Sequence, residues 1–170
     1  MIISHIKHIS IALLLLMFNL TASSQDLFLD KDKKKVAEGM PYVYKETVWL
    51  TDSGYRANLF NREDGLIANY GYKDSTRMTM QGWYYTRYNN GRYKEAYLYD
   101  NGKRHGAQYR YYSNGKPSYI GKYYHGMPVD SGFYYDTNDF MYMLSVTDTN
   151  GNGMRQRWYS TGPLAEKGPL

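Results

Sequence analysis

Glycine recurs in this sequence on a fixed spacing, and that spacing limits the possible folds more than any other feature. Gly82 and Gly106 lie 24 residues apart, as do Gly91 and Gly115, and Gly102 and Gly126. Three stretches register without gaps on such positions: GWYYTRYNNG (82–91), GAQYRYYSNG (106–115) and GMRQRWYSTG (153–162). Each opens and closes on Gly, with Tyr88, Tyr112 or Tyr159 three residues before the end. GFYYDTND, opening at Gly132, reads as a worn copy whose turn has lost its glycine, and YRANLFNREDG (55–65) as another. A period of this size is the mark of stacked supersecondary units, each too small to bury its own apolar face.

The unit is built of strands. Runs such as YVYKETVWL (42–50), LIANYGY (66–72), MTMQGWYYTRY (78–88) and RYKEAYLY (92–99) are aromatic and β-branched. Asn-Gly, Asp-Gly and Ser-Gly separate them, and these dipeptides accept the positive φ that hairpin turns need. No window of a dozen residues carries a helical period. The sequence therefore predicts an all-β, antiparallel meander of stacked β-hairpin repeats over 42–170.

Upstream, two segments precede the repeats. ISIALLLLMF (9–18) follows Lys7 and leads to Ala22 and Ser24, the layout of a signal peptide over 1–24, cleaved before Gln25. An apolar core this short spans a bilayer poorly, so an exported protein, periplasmic or extracellular, with no transmembrane segment after cleavage is expected. Residues 25–41 hold Lys31, Asp32, Lys33, Lys34 and Lys35 and read as a linker or short helix. The chain contains no cysteine, so neither a disulfide framework nor a thiolate metal site is available. Its 21 Tyr, all downstream of residue 24, must supply the contact area that scarce aliphatics do not.

NGKRHG (101–106), followed by YRYYSNGK and then YIGKYYHG, resembles the MORN repeat, and more closely its bacterial variant. The resemblance is best over 82–126, with weaker matches on either side. It implies one hairpin per repeat in an elongated, twisted sheet. Through bacterial members labelled antitoxin-like, it also implies a protein-binding or scaffold role, antitoxin-like or immunity-like. KDSTRM (73–78) and DTND (136–139) depart from the pattern by lacking the turn glycine, so irregular hairpins are expected there.

Side chains alternate across a strand, which splits the repeats into two faces. One collects Trp83, Tyr85, Arg87, Ala107, Tyr109, Tyr111, Met154, Gln156 and Trp158; it is the more apolar and is expected to be the packed side. The other collects Tyr84, Thr86, Tyr88, Gln108, Arg110, Tyr112, Arg155, Arg157 and Tyr159. Its columns of Tyr and Arg suit an extended partner, since Arg offers forked donors and Tyr an amphipathic ring. Tyr84, Tyr88, Gln108, Arg110, Tyr112, Arg155, Arg157 and Tyr159 are accordingly the predicted partner-binding residues. The expected partner is another protein.

An envelope carbohydrate or peptidoglycan is the alternative, with Trp49, Trp83 and Trp158 as stacking candidates if they are not core. Residues 81–126 carry eight Lys or Arg against two acidic residues, whereas 129–149 carry four Asp and no Lys or Arg. A basic, Tyr-rich segment could hold single-stranded nucleic acid, but an exported protein meets little of it. Catalysis has no motif: nucleophile elbow, zinc-protease helix and phosphate loop are all missing. His105 and His125 fall at non-equivalent turn positions. DTNGNG (148–153) places Tyr159 where a calcium loop needs Glu. No catalytic residue, metal ligand or cofactor is predicted.

Overall fold

Two kinds of turn recur along the repeats. In the computed structural model, which describes residues 24–170, Tyr88 N donates to Arg92 O and Gly91 N to Tyr88 O. The same pair of bonds recurs at 112–116, 136–140 and 159–163. The last residue of each loop is left-handed: φ is 80° at Gly91, 91° at Gly115, 70° at Asp139 and 103° at Gly162. This is the three-residue hairpin loop, a type I turn closed by a left-handed residue. Asn101–Gly102 and His125–Gly126 form the second kind, two-residue loops with both φ positive, as a type I′ turn requires.

The worn copy is thereby corrected in two ways. Asp130 (φ 64°) and Asp139 (φ 70°) stand 24 residues after Gly106 and Gly115 in the same left-handed conformation. The copy thus opens at Asp130 rather than Gly132, and its 136–140 turn is regular, because Asp tolerates this region of φ better than most residues. The 73–78 loop does depart, with Arg77 at φ 58° and Lys73 N donating to Thr79 O.

Twelve strands result: β1 (Gln25–Leu29), β2 (Tyr44–Thr51), β3 (Gly54–Phe60), β4 (Leu66–Tyr72), β5 (Gly82–Arg87), β6 (Tyr93–Asp100), β7 (Lys103–Tyr111), β8 (Pro117–Tyr124), β9 (Met127–Tyr135), β10 (Met141–Thr147), β11 (Gly153–Trp158) and β12 (Leu164–Pro169). They form one antiparallel sheet in chain order, an open meander. The described residues contain no helix. β1 corrects the reading of 25–41 as a linker or short helix. Leu27 and Leu29, two residues apart, are 3% and 8% exposed against β2, and the Lys-rich stretch only begins after them.

One row of paired residues runs unbroken across the sheet: Leu27, Glu46, Leu59, Ala68, Thr86, Glu95, Arg110, Tyr119, Tyr134, Met143, Arg157, Glu166. The neighbouring row, on the opposite face, is Asp26, Thr47, Asn58, Asn69, Tyr85, Ala96, Tyr109, Ile120, Phe133, Leu144, Gln156, Lys167. Leu27, Leu29, Glu46, Val48, Ala57, Leu59, Ala68, Tyr70, Tyr97, Gln108, Tyr119, Ser145 and Thr147 are buried, and all lie on the first, inner face. Among the described residues, the one buried non-glycine side chain on the outer face is Ala96. Right-handed twist accumulating over a long sheet curls it about one side, and that side becomes the core without a second layer.

The inner face is aliphatic under β1–β4 and aromatic beyond. Tyr84 lies between Tyr70 and Tyr97, near-parallel to both, with centroids 5.6 and 6.2 Å away. Buried Glu46 accepts from Tyr70 Oη at 2.8 Å and Tyr72 Oη at 3.2 Å, and pairs with Arg77 Nη1 at 3.1 Å. Burial, reinforced by the Glu46 charge, pushes the Tyr72 phenol up to about 12 and that of Tyr70 higher. Burial also raises Tyr119 to about 12, and raises Tyr97. The folded chain thus keeps protons that the unfolded chain releases near the ordinary phenol value of about 10. This stabilisation is complete below pH ~10 and is lost as pH climbs toward ~12. Melting curves across that window should show the midpoint falling steadily, with phenolate absorbance from these residues appearing together with unfolding. Phenolate formation well before unfolding would contradict it.

Candidate functional site

The eight predicted partner-binding residues all fall on the inner face or in its turns, and most are occupied there. Tyr84 is stacked in the core, and Gln108 is 1% exposed, its amide without a protein partner. Arg110 lies over the Tyr119 ring at 4.9 Å. Tyr88 Oη donates to Tyr111 O and Tyr112 Oη to Tyr135 O, each at 2.8 Å. These two phenols therefore staple one repeat to the next, 23 residues on. Asp136 occupies the equivalent position in the worn copy and has no phenol to offer. Arg155 and Arg157 both pair with Glu166, at 2.8 and 3.6 Å. Tyr159 is 60% exposed.

The expected order of burial is reversed. Apolar composition pointed to the Trp83 face as the packed side, but the buried side chains lie on the opposite one. A Tyr ring lying over glycine and backbone fills that inner space, as Tyr119 does over Gly121 and Gly132.

The outer face carries the aromatic surface the fold does not use. Trp83 lies near-parallel to Tyr85 and Tyr109, at 5.6 and 6.2 Å between centroids, and Tyr109 to Tyr111 at 6.5 Å. Tyr93 extends this ladder from Tyr85, and Arg87 caps it, its guanidinium 4.3 Å from the Tyr93 ring centre. Trp83, Tyr85, Tyr109 and Tyr111 are half-buried and Tyr93 is exposed. At one end, Arg87, Arg92, Tyr93 and Tyr111 border an open hollow of about 450 Å³. Trp49 and Trp158 share this face by alternation, so none of the three Trp belongs to the core.

The structure also joins what the sequence placed apart. His105 and His125, one in β7 and one in the β8–β9 turn, have ring centroids 5.1 Å apart. His105 opens on a cleft with Asp130 and Asp148 at its border. No hydrogen bond links either imidazole to a carboxylate or hydroxyl among the described residues, so no oriented base is assembled. Nor do three His, Cys, Asp or Glu come together as a metal site among these residues. No described helix is long and apolar enough to cross a membrane.

Fold and surface together define a class: a single-sheet β-hairpin repeat protein with one face closed as core and the other open and aromatic. A scan against protein-family models finds no match for the chain, and a search of curated proteins finds none either.

Proposed function

We propose that this chain is an exported, non-enzymatic repeat protein of the bacterial MORN-variant kind, acting as a protein-binding or scaffold module. The observation that carries the reading is the half-exposed ladder Trp83–Tyr85–Tyr109–Tyr111 with Arg87 at its end. Large aromatic groups and Arg are the residues that dominate protein interfaces, and here they lie on the face that the core does not need. The 24-residue repetition of turns supports the MORN resemblance, and the signal-like 1–24 segment supports export. An antitoxin-like or immunity-like partner protein fits an extended sheet surface of this kind.

A second reading, an envelope glycan ligand, is favoured by one observation: all three Trp lie on the open face, where ring surfaces are available to a sugar.

Capture from envelope fractions tests the first reading. Trp83→Ala with Tyr109→Ala should leave the unfolding midpoint within a few degrees and abolish enrichment of the partner. Arg110→Glu with Tyr112→Ala, on the inner face, should instead lower the midpoint. Undiminished capture by the outer-face variant would contradict the proposal.

A further inference from the structure

In one tile of the array, Gln81 closes the hairpin end. Its Oε1 accepts from Asn101 N at 2.9 Å and its Nε2 donates to Asp100 Oδ1 at 3.2 Å. One 24-residue period later the same three positions are His105, His125 and Tyr124. The backbone frame is retained: Gly102 N donates to Met80 O at 2.9 Å, and Gly126 N to Arg104 O at 2.8 Å. The side-chain closure is lost. His105 Nδ1 is buried without a protein partner, and three rings cluster instead, with centroids 5.3 Å (His105–Tyr124), 5.1 Å (His105–His125) and 4.3 Å (Tyr124–His125) apart.

Two more departures meet the first. Asp130 occupies the position of Gly82 and Gly106 and keeps their left-handed backbone, φ 64° against 78° and 87°. A side chain there is strained where glycine is free. Lys122 occupies the position of Leu98, whose side chain packs on Gly106, and its Nζ instead meets Asp130 Oδ2 at 3.4 Å. His105, Tyr124, Lys122 and Asp130 border one cleft of about 550 Å³, together with the apolar Val129 and Val146. His105 and Tyr124 give up the side-chain closure, Lys122 a packing contact and Asp130 an unstrained glycine, and these four residues border that cleft.

We propose that this cleft is a binding site for a neutral saccharide unit. Lys122 and Asp130 compensate each other, and Asp148 Oδ1 is taken by Asn150 N and Asn152 N of its own loop at 2.8 and 2.9 Å. An anionic ligand therefore finds no uncompensated Lys or Arg bordering the cleft, and the Asp148 carboxylate keeps its charge but has both oxygens engaged within its own loop. Tyr124 and Val146, 49% and 48% exposed, offer apolar surface to the C–H face of a pyranose ring. Lys122 and Asp130 offer a donor and an acceptor to adjacent hydroxyls. The cleft shares no residue with the Trp83–Tyr111 ladder, so its test is independent of the partner-protein reading.

The experiment titrates the full chain with glucose, galactose, mannose and N-acetylglucosamine, followed by saturation-transfer and amide-shift NMR. At least one sugar should bind with Kd in the millimolar range (~1 mM corresponds to about 4 kcal/mol), shifting amides of 122–130 and 146–148. His105→Gln with Tyr124→Asp and His125→Asn rebuilds the closed pattern of the preceding tile. This variant should melt no lower than the parent and bind at least ~10-fold more weakly. Asp130→Gly, which restores the glycine of the repeat, should raise the midpoint while weakening binding, and decides the matter if the triple variant fails to fold. Absence of binding by all four sugars, or undiminished binding by Asp130→Gly, would overturn the proposal.

Discussion

Glu46→Ala is expected to lower the unfolding free energy by about 3 kcal/mol, the scale found when one member of a buried, hydrogen-bonded charge pair is removed. Glu46 is 5% exposed and binds three groups: the phenols of Tyr70 and Tyr72 and the guanidinium of Arg77. Removing it strands two phenolic donors on the inner face and leaves Arg77, held at φ 58° in the irregular 73–78 loop, without its anchor. Glu46→Gln keeps an acceptor for Tyr70 but not the charge, and should cost about 1–2 kcal/mol. Urea unfolding of the three proteins checks this. An Ala variant within about 0.5 kcal/mol of the parent, the level of ordinary surface changes, would contradict the assignment of Glu46 as the polar centre of the core.

The second large effect is steric. Gly121 has an ordinary extended backbone, so Ala there meets no conformational penalty. Yet a Cβ would overlap the Tyr119 phenol, falling 2.5 Å from its Cζ. Tyr119 is 5% exposed, with the Tyr134 ring centroid 4.7 Å away and the Arg110 guanidinium above it, so the ring has nowhere to go. Gly121→Ala should therefore cost about 2–3 kcal/mol, as overpacking of a filled core does. Because the nearest atom is the Tyr119 hydroxyl, Tyr119→Phe should recover part of the loss in the double variant. That coupling is the signature of direct contact, and strict additivity would contradict it.

What could be read from the sequence was local. The all-β meander follows from turn dipeptides whose φ requirements act within four residues, and the 24-residue period follows from their repetition. The worn copy was misplaced by two residues because Asp130 and Asp139 adopt a conformation whose usual sign is glycine. β1 was hidden because Leu27 and Leu29 sit immediately before a Lys-rich run that suggests solvent. Face identity failed for a different reason. Which side of a single sheet becomes its core depends on the curl of twelve strands, whereas composition reports only that one side is more apolar. Tyr70, Tyr97 and Tyr119 show the outcome, since Tyr fills a narrow inner space, where the Tyr70 hydroxyl bonds Glu46. The pairing of His105 with His125 required the hairpin connecting β8 and β9 to fold back beside β7, and no local signal carries that.

The central claim is that the Tyr84–Gln108–Arg110 side is core and the Trp83–Tyr109–Tyr111 side is surface. Residue-resolved tyrosine nitration, read by mass spectrometry on the folded chain, tests it most directly. Tyr93, Tyr124 and Tyr159 should react first, Tyr85, Tyr109 and Tyr111 next, and Tyr70, Tyr97 and Tyr119 only on unfolding. Reaction of Tyr97 and Tyr119 ahead of Tyr109 and Tyr111 would contradict it.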